Sequence, residues 1–158
     1  MIKRIMKRFL TCERGTQMIE FALLLPFLIF LFAGAVELGR MFYTYTTLQK
    51  STVVGARYLS TVLAPGGTYS SADTNTATNL IVCGVRSSAA DGCTGQNPIA
   101  NNFTSANITI TSPGTGVGTR YVTVTVTYAY QPLVFNLSNL TGVQQFTFTP
   151  AITMRYML

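Results

Sequence analysis

From Met18 to Val36 the sequence reads "MIEFALLLPFLIFLFAGAV", apolar throughout except for Glu20. About 19 residues rising about 1.5 Å each reach roughly 28 Å, the thickness of a bilayer's hydrocarbon core. This pattern predicts a membrane-crossing helix or a signal sequence. Pro26 would break a soluble helix but is tolerated with a kink in a membrane one. Ala35 and Gly39 give a small-xxx-small spacing suited to packing against another helix. The apolar pattern then narrows to a stripe. Leu38, Met41, Tyr45, Leu48, Thr52, Ala56, Leu59 and Leu63 recur every three or four residues, with Arg40, Gln49, Lys50 and Arg57 outside it. The stripe predicts one helix continuing from about Thr16 to Ala64, some 70 Å long, ended by the punctuation "APGGT".

Residues 68–79 are polar, and a short helix is expected from about Asp73 to Val82, capped by Ser71 or Asp73. Beyond Asn101 the period changes to two. "NITIT" (107–111) and "YVTVTVTYAY" (121–130) predict two half-buried antiparallel strands, joined through "SPGTGVGTR", with Val122, Val124, Val126, Tyr128 and Tyr130 on one face. A third strand is expected in "FTFTPAITMRY" (146–156), with Phe146, Phe148, Ile152, Met154 and Tyr156 on one face. Pro150 implies that it is an edge, a bulge or two pieces. The expected fold class is α+β: a long N-terminal membrane-spanning helix, continuing into an amphipathic helix packed on a small antiparallel sheet.

Charge sets the orientation. Of the net +6, the leader to Arg14 carries +4, from Lys3, Arg4, Lys7, Arg8 and Arg14 against Glu13. Cations before the apolar run place the N-terminus in the cytoplasm and everything after Leu38 outside. The six remaining cations are scattered and form no dense patch, so nucleic acid is not an expected partner.

Candidate chemistry is sparse. Histidine is absent, which removes the commonest general base and metal ligand. The carboxylates beyond residue 15 are Glu20 and Glu37 in the apolar helix, and Asp73 and Asp91 in polar sequence with no paired partner. "SPGTGVGTR" lacks the Lys-Ser/Thr and the strand-to-helix setting of a phosphate loop. No enzyme, cofactor or metal site is expected. Cys12 lies in the leader on the reducing side, whereas Cys83 and Cys93 bound the polar loop "CGVRSSAADGC" on the oxidising side, so these two are expected to be disulfide-bonded. The alternative is two unpaired thiols. The Asn-x-Ser/Thr sequons at Asn102, Asn107, Asn136 and Asn139 arise readily by chance in sequence this rich in Asn, Ser and Thr.

Glu20 is the residue an anchor alone does not explain, since an ionised group inside a membrane helix costs roughly 2.5–3.5 kcal/mol at its centre and less near an edge. The stretch "RGTQMIEFALLLPFLIFLFAGAVELGRMFYTY", with Gly15 closing a basic leader, Glu20, the Pro26-interrupted run and "VELGR" before aromatics, resembles a type IV pilin-like precursor, and more narrowly the TadE-like pseudopilins of the tight-adherence (Flp) pilus system. The resemblance implies a pilin-like fold and cleavage by a prepilin peptidase between Gly15 and Thr16. It also implies that Glu20 neutralises the new Thr16 amine of a neighbouring subunit inside a helical bundle. The alternative leaves Glu20 solvated near the headgroups by local bending.

The implied organisation is a leader (1–15), a membrane helix (16–38), its amphipathic extension (39–64) and an extracytoplasmic domain (65–158). The implied partners are the prepilin peptidase, other pilins and pseudopilins, an inner-membrane assembly platform and membrane lipid. The implied place is the bacterial inner membrane with the C-terminal domain in the periplasm, and incorporation into an extracellular pilus. The chain is much longer than a major Flp pilin, which favours a minor pseudopilin that primes or caps assembly. Two competing readings remain. "AGA" at 33–35 resembles a signal-peptidase site, which would release a soluble secreted binding protein starting at Val36. An uncleaved single-pass envelope scaffold is the other.

Overall fold

The computed structural model describes residues 13–62, 69–111, 121–133 and 146–156. The "APGGT" punctuation, the "SPGTGVGTR" connection, the sequons Asn136 and Asn139 and nearly all of the leader lie outside the described residues. The chain falls into two units, divided between Gly39 and Arg40.

The first unit carries the N-terminal part of helix α1 (Glu13–Thr61), which contains Pro26. From Met18 to Phe32 every large apolar side chain is exposed. A soluble monomer's largest apolar patch is about 300–600 Å², and a helix apolar on all sides must be covered by lipid or protein. This helix is long and apolar enough to cross a membrane. It begins at Glu13, three residues before the expected start, so the helix takes in the last residues of the expected leader.

The second unit packs the rest of α1 and a second helix, α2 (Ser71–Val82), with a small antiparallel sheet. The stripe residues Leu48, Thr52, Ala56 and Leu59 are fully buried. Thr52 is tolerated there because its hydroxyl donates to the Leu48 carbonyl at 2.7 Å. Leu38 is more than half exposed and lies outside the core. Helix α2 starts two residues earlier than expected, and its cap is Ser70 rather than Ser71 or Asp73. Ser70 Oγ accepts from the Asp73 N–H while Asp73 Oδ2 accepts from the Ser70 N–H, a reciprocal capping box. A 3₁₀ turn, Ser105–Asn107, leads into the first strand.

The strands are β1 (Ile108–Thr111), β2 (Tyr121–Val126), β3 (Tyr128–Ala129), β4 (Thr147–Phe148) and β5 (Ala151–Arg155). β2 lies between β1 and β5, and β3 pairs with β4, all antiparallel. The two expected long strands are each broken in two. Register is nevertheless unchanged across the break: Thr125 faces Ala151, Val126 N–H donates to the Pro150 carbonyl, Tyr128 faces Phe148, and Tyr130 N–H donates to the Phe146 carbonyl. One long ribbon is interrupted where Pro150 has no N–H to give and Thr127 turns its own N–H to the Asn107 carbonyl. The inward row Ile110–Val124–Ile152 is apolar, and the outward row Thr111–Thr123–Thr153 is polar, with the last two hydroxyls 2.8 Å apart. Phe146 departs from the expected pattern and is exposed.

Helix α1 runs along this ribbon from Arg40, beside Tyr130, to Leu59, whose carbonyl accepts from the Tyr69 hydroxyl. That hydroxyl also lies 3.0 Å from the Tyr156 hydroxyl at the end of β5.

Candidate functional site

Three groups of residues stand out among the described residues. Gly15, Thr16 and Glu20 all lie on α1 and are exposed. A Cβ on Gly15 would meet nothing within 4 Å, so packing within the chain does not require glycine there. Thr16 and Glu20 are four residues apart, hence one turn apart on the same helix face. A carboxylate placed so sits close to any charge created at Thr16.

The second group is the disulfide loop, in the other unit. Cys83 and Cys93 are bonded, with Sγ atoms 2.03 Å and Cα atoms 5.9 Å apart. Sequence reasoning missed the residue that shapes this loop. Asn79 is buried on α2, and its side-chain amide donates to the carbonyls of Ser87 and Ala89, both at 2.8 Å. Its own carbonyl accepts from the Cys83 N–H at 3.0 Å. One side chain thus holds two loop carbonyls, of which that of Ala89 also accepts from the Gly92 N–H at 3.2 Å. Gly92 is required by the same packing, because a Cβ there would run into the Asn79 amide and the Ser87 side chain. The available signal was a polar residue one helical turn before a cysteine. Asn75 supports the loop from the same helix, donating to the Ser88 carbonyl at 3.2 Å.

The third group surrounds Arg40, which the stripe pattern places on the solvent side. In the fold Arg40 is half-buried against the sheet unit: Nη2 donates to the Gln131 carbonyl at 3.4 Å, and the guanidinium lies 5.7 Å from the centre of the Tyr130 ring. Burial raises the Tyr128 hydroxyl above its ordinary value, and the Arg40 charge partly offsets that rise. Tyr128 donates to the Asn101 carbonyl and meets Phe103 edge-on, both structural roles.

Among the described residues no group of three or more His, Cys, Asp or Glu could hold a metal ion. Asp91 lines an open cleft with Asn79, Cys93, Phe103 and Ser105. A shallow groove beside Val54, Arg57, Tyr58 and Leu80 contains no carboxylate.

No curated protein and no solved structure matches the chain. Residues 15–57 match the family model of the TadE-like proteins. The matched stretch begins at Gly15 and takes in Thr16, Glu20, the exposed apolar run and most of the buried stripe of α1. Over this N-terminal helix the chain is similar to the TadE-like proteins.

Proposed function

We propose that the chain is a minor pseudopilin of a tight-adherence pilus, a structural subunit whose work is association rather than catalysis. The observation that carries this reading is the family match beginning at Gly15, on a helix whose apolar run from Met18 to Phe32 is exposed and holds one carboxylate, Glu20, a turn past Thr16. Hydrolysis of the Gly15–Thr16 bond by a prepilin peptidase frees an amine on Thr16. Inside a bundle of such helices that ammonium and a neighbour's Glu20 neutralise one another, where either alone would be expensive. The subunit is held in the inner membrane by residues 16–38, N-terminus cytoplasmic, with its sheet unit outside. There it meets other pilins and the assembly platform. A secreted product starting at Val36 is disfavoured because α1 is continuous through that position.

The test is the N-terminal sequence and intact mass of protein recovered from its native envelope. A start at Thr16 is expected. A start at Val36 would make the protein a secreted soluble one, and an intact Met1 a tethered scaffold.

A further inference from the structure

At the ribbon's far end Leu133 and Phe146 are exposed, beside the buried Tyr130. Tyr130 N–H donates to the Phe146 carbonyl at 2.8 Å, which joins the two ends of the ribbon there, and the chain continues through Gln131 and Pro132 to Leu133. Arg40 fixes this end beside the first turn of α1 in the second unit, through Gln131 and Tyr130. Tyr45 meets Phe148 edge-on at 5.5 Å and keeps the neighbouring turn in register with it. Around Arg40 stand Phe42, 63% exposed, Tyr43, 71%, Leu133, 74%, and Phe146, 63%. Two of these come from the helix and two from the ribbon, and none contributes to the core.

We infer that this end of the sheet unit is a second membrane contact: Leu133 and Phe146, with Phe42 and Tyr43, rest in the headgroup layer of the bilayer, and Arg40 meets lipid phosphate. The inference rests on the reading of residues 16–38 as membrane-spanning. Three observations select lipid as the occupant. Arg40 is the first cation after the apolar run, so in sequence it falls where such a span must leave the hydrocarbon. Aromatic and leucine side chains flanking a cation match the amphipathic headgroup region, where apolar bodies sink and the charge stays with phosphate. The Arg40 guanidinium is under-satisfied within the protein. Among the described residues its hydrogen bond to Gln131 is long and Nη1 is enclosed without a hydrogen-bond partner, so a nearby anion lowers the cost of its charge.

The experiment uses the full chain with Cys12→Ser and the disulfide intact. A single NBD-labelled cysteine is placed by Leu133→Cys, Phe146→Cys, Thr111→Cys or Phe27→Cys, in phosphatidylethanolamine/phosphatidylglycerol vesicles with and without doxyl-lipid. Labels at 133 and 146 are expected to be quenched by shallow doxyl at least twofold more than at 111, and the label at 27 by deep doxyl. Quenching at 27 with none at 133 and 146 overturns this inference and leaves the membrane span standing. No quenching at 27 overturns both. If shielding at 133 and 146 appears only at high protein density, with crosslinks between copies, the face is an inter-subunit contact and the lipid assignment fails.

Discussion

At Asn79 a single side chain ties two carbonyls of the disulfide loop to α2. Its two amide hydrogens go to two loop carbonyls, and an alanine there would leave both carbonyls without those donors. Removing one partner of a buried hydrogen bond costs about 1–3 kcal/mol, so Asn79→Ala is expected to lower stability by about 2 kcal/mol. Gly92→Ala is expected to destabilise similarly by driving a methyl into that amide. Denaturant titration of the full chain, followed by near-ultraviolet dichroism of its eight tyrosines, measures both. Unchanged midpoints would mean that the disulfide alone shapes the loop. Tyr69 gives a residue-scale pH dependence. Burial, then the Tyr156 hydroxyl, raise its ionisation well above the ordinary tyrosine value. The unfolded chain therefore loses this proton from about pH 10 while the folded chain keeps it. Its contribution is complete below pH 10 and declines as pH rises from there. Tyr69→Phe should flatten the alkaline loss of stability, and a slope identical to wild type would remove Tyr69 from the account.

Between elements, close approach depends on Gly55. A Cβ at this position would collide with the Ile81 side chain and press on the Ala77 carbonyl, so α1 and α2 approach here because α1 has no side chain to interpose. Overpacking of this kind costs typically about 1–3 kcal/mol, and thermal unfolding of Gly55→Ala should show it. The disulfide acts at the same scale. Closing a loop of about ten residues restricts the unfolded chain by about 2.5–3 kcal/mol in the chain-entropy view. Both cysteines should resist alkylation in the intact protein until reduced, and ready labelling of unreduced protein would refute the staple. These elements differ in how far the sequence shows them. The buried valines of β2 alternate without exception, so their face is legible from period two alone. The stripe of α1 is legible from Leu48 to Leu59, and the first turn of α2 is blurred because serines at 70 and 71 offer the same capping chemistry. The ribbon's single register is not legible, since local pattern carries no record of which residues across a break face one another. The surroundings of Arg40 are not legible for a related reason: helical periodicity sets it outside the stripe, but only the sheet's position determines that a guanidinium on its margin will lie over a tyrosine.

For the whole molecule, a weakly charged C-terminal portion and an exposed apolar helix fit the proposed role in assembly. From residue 65 on the charged residues are Asp73, Arg86, Asp91, Arg120 and Arg155. A domain so weakly charged offers little long-range repulsion to copies or relatives crowding beside it. The expensive charge is instead Glu20, on the exposed helix. If its role is to meet a neighbour's Thr16 amine, Glu20→Gln should preserve the fold, the disulfide and membrane insertion, because Glu20 is exposed and lies in the other unit from the sheet core. The loss should appear only in association. A single unpaired ammonium in a helical bundle is worth several kcal/mol, so crosslinking to other pilins and recovery in sheared pili should fall at least tenfold while membrane-fraction abundance stays level. The control is Glu20→Asp, which retains the charge on a shorter reach and should recover part of the signal. Wild-type crosslinking and piliation in Glu20→Gln would mean that the carboxylate is merely solvated near the headgroups, and that recruitment is carried by the apolar surface alone.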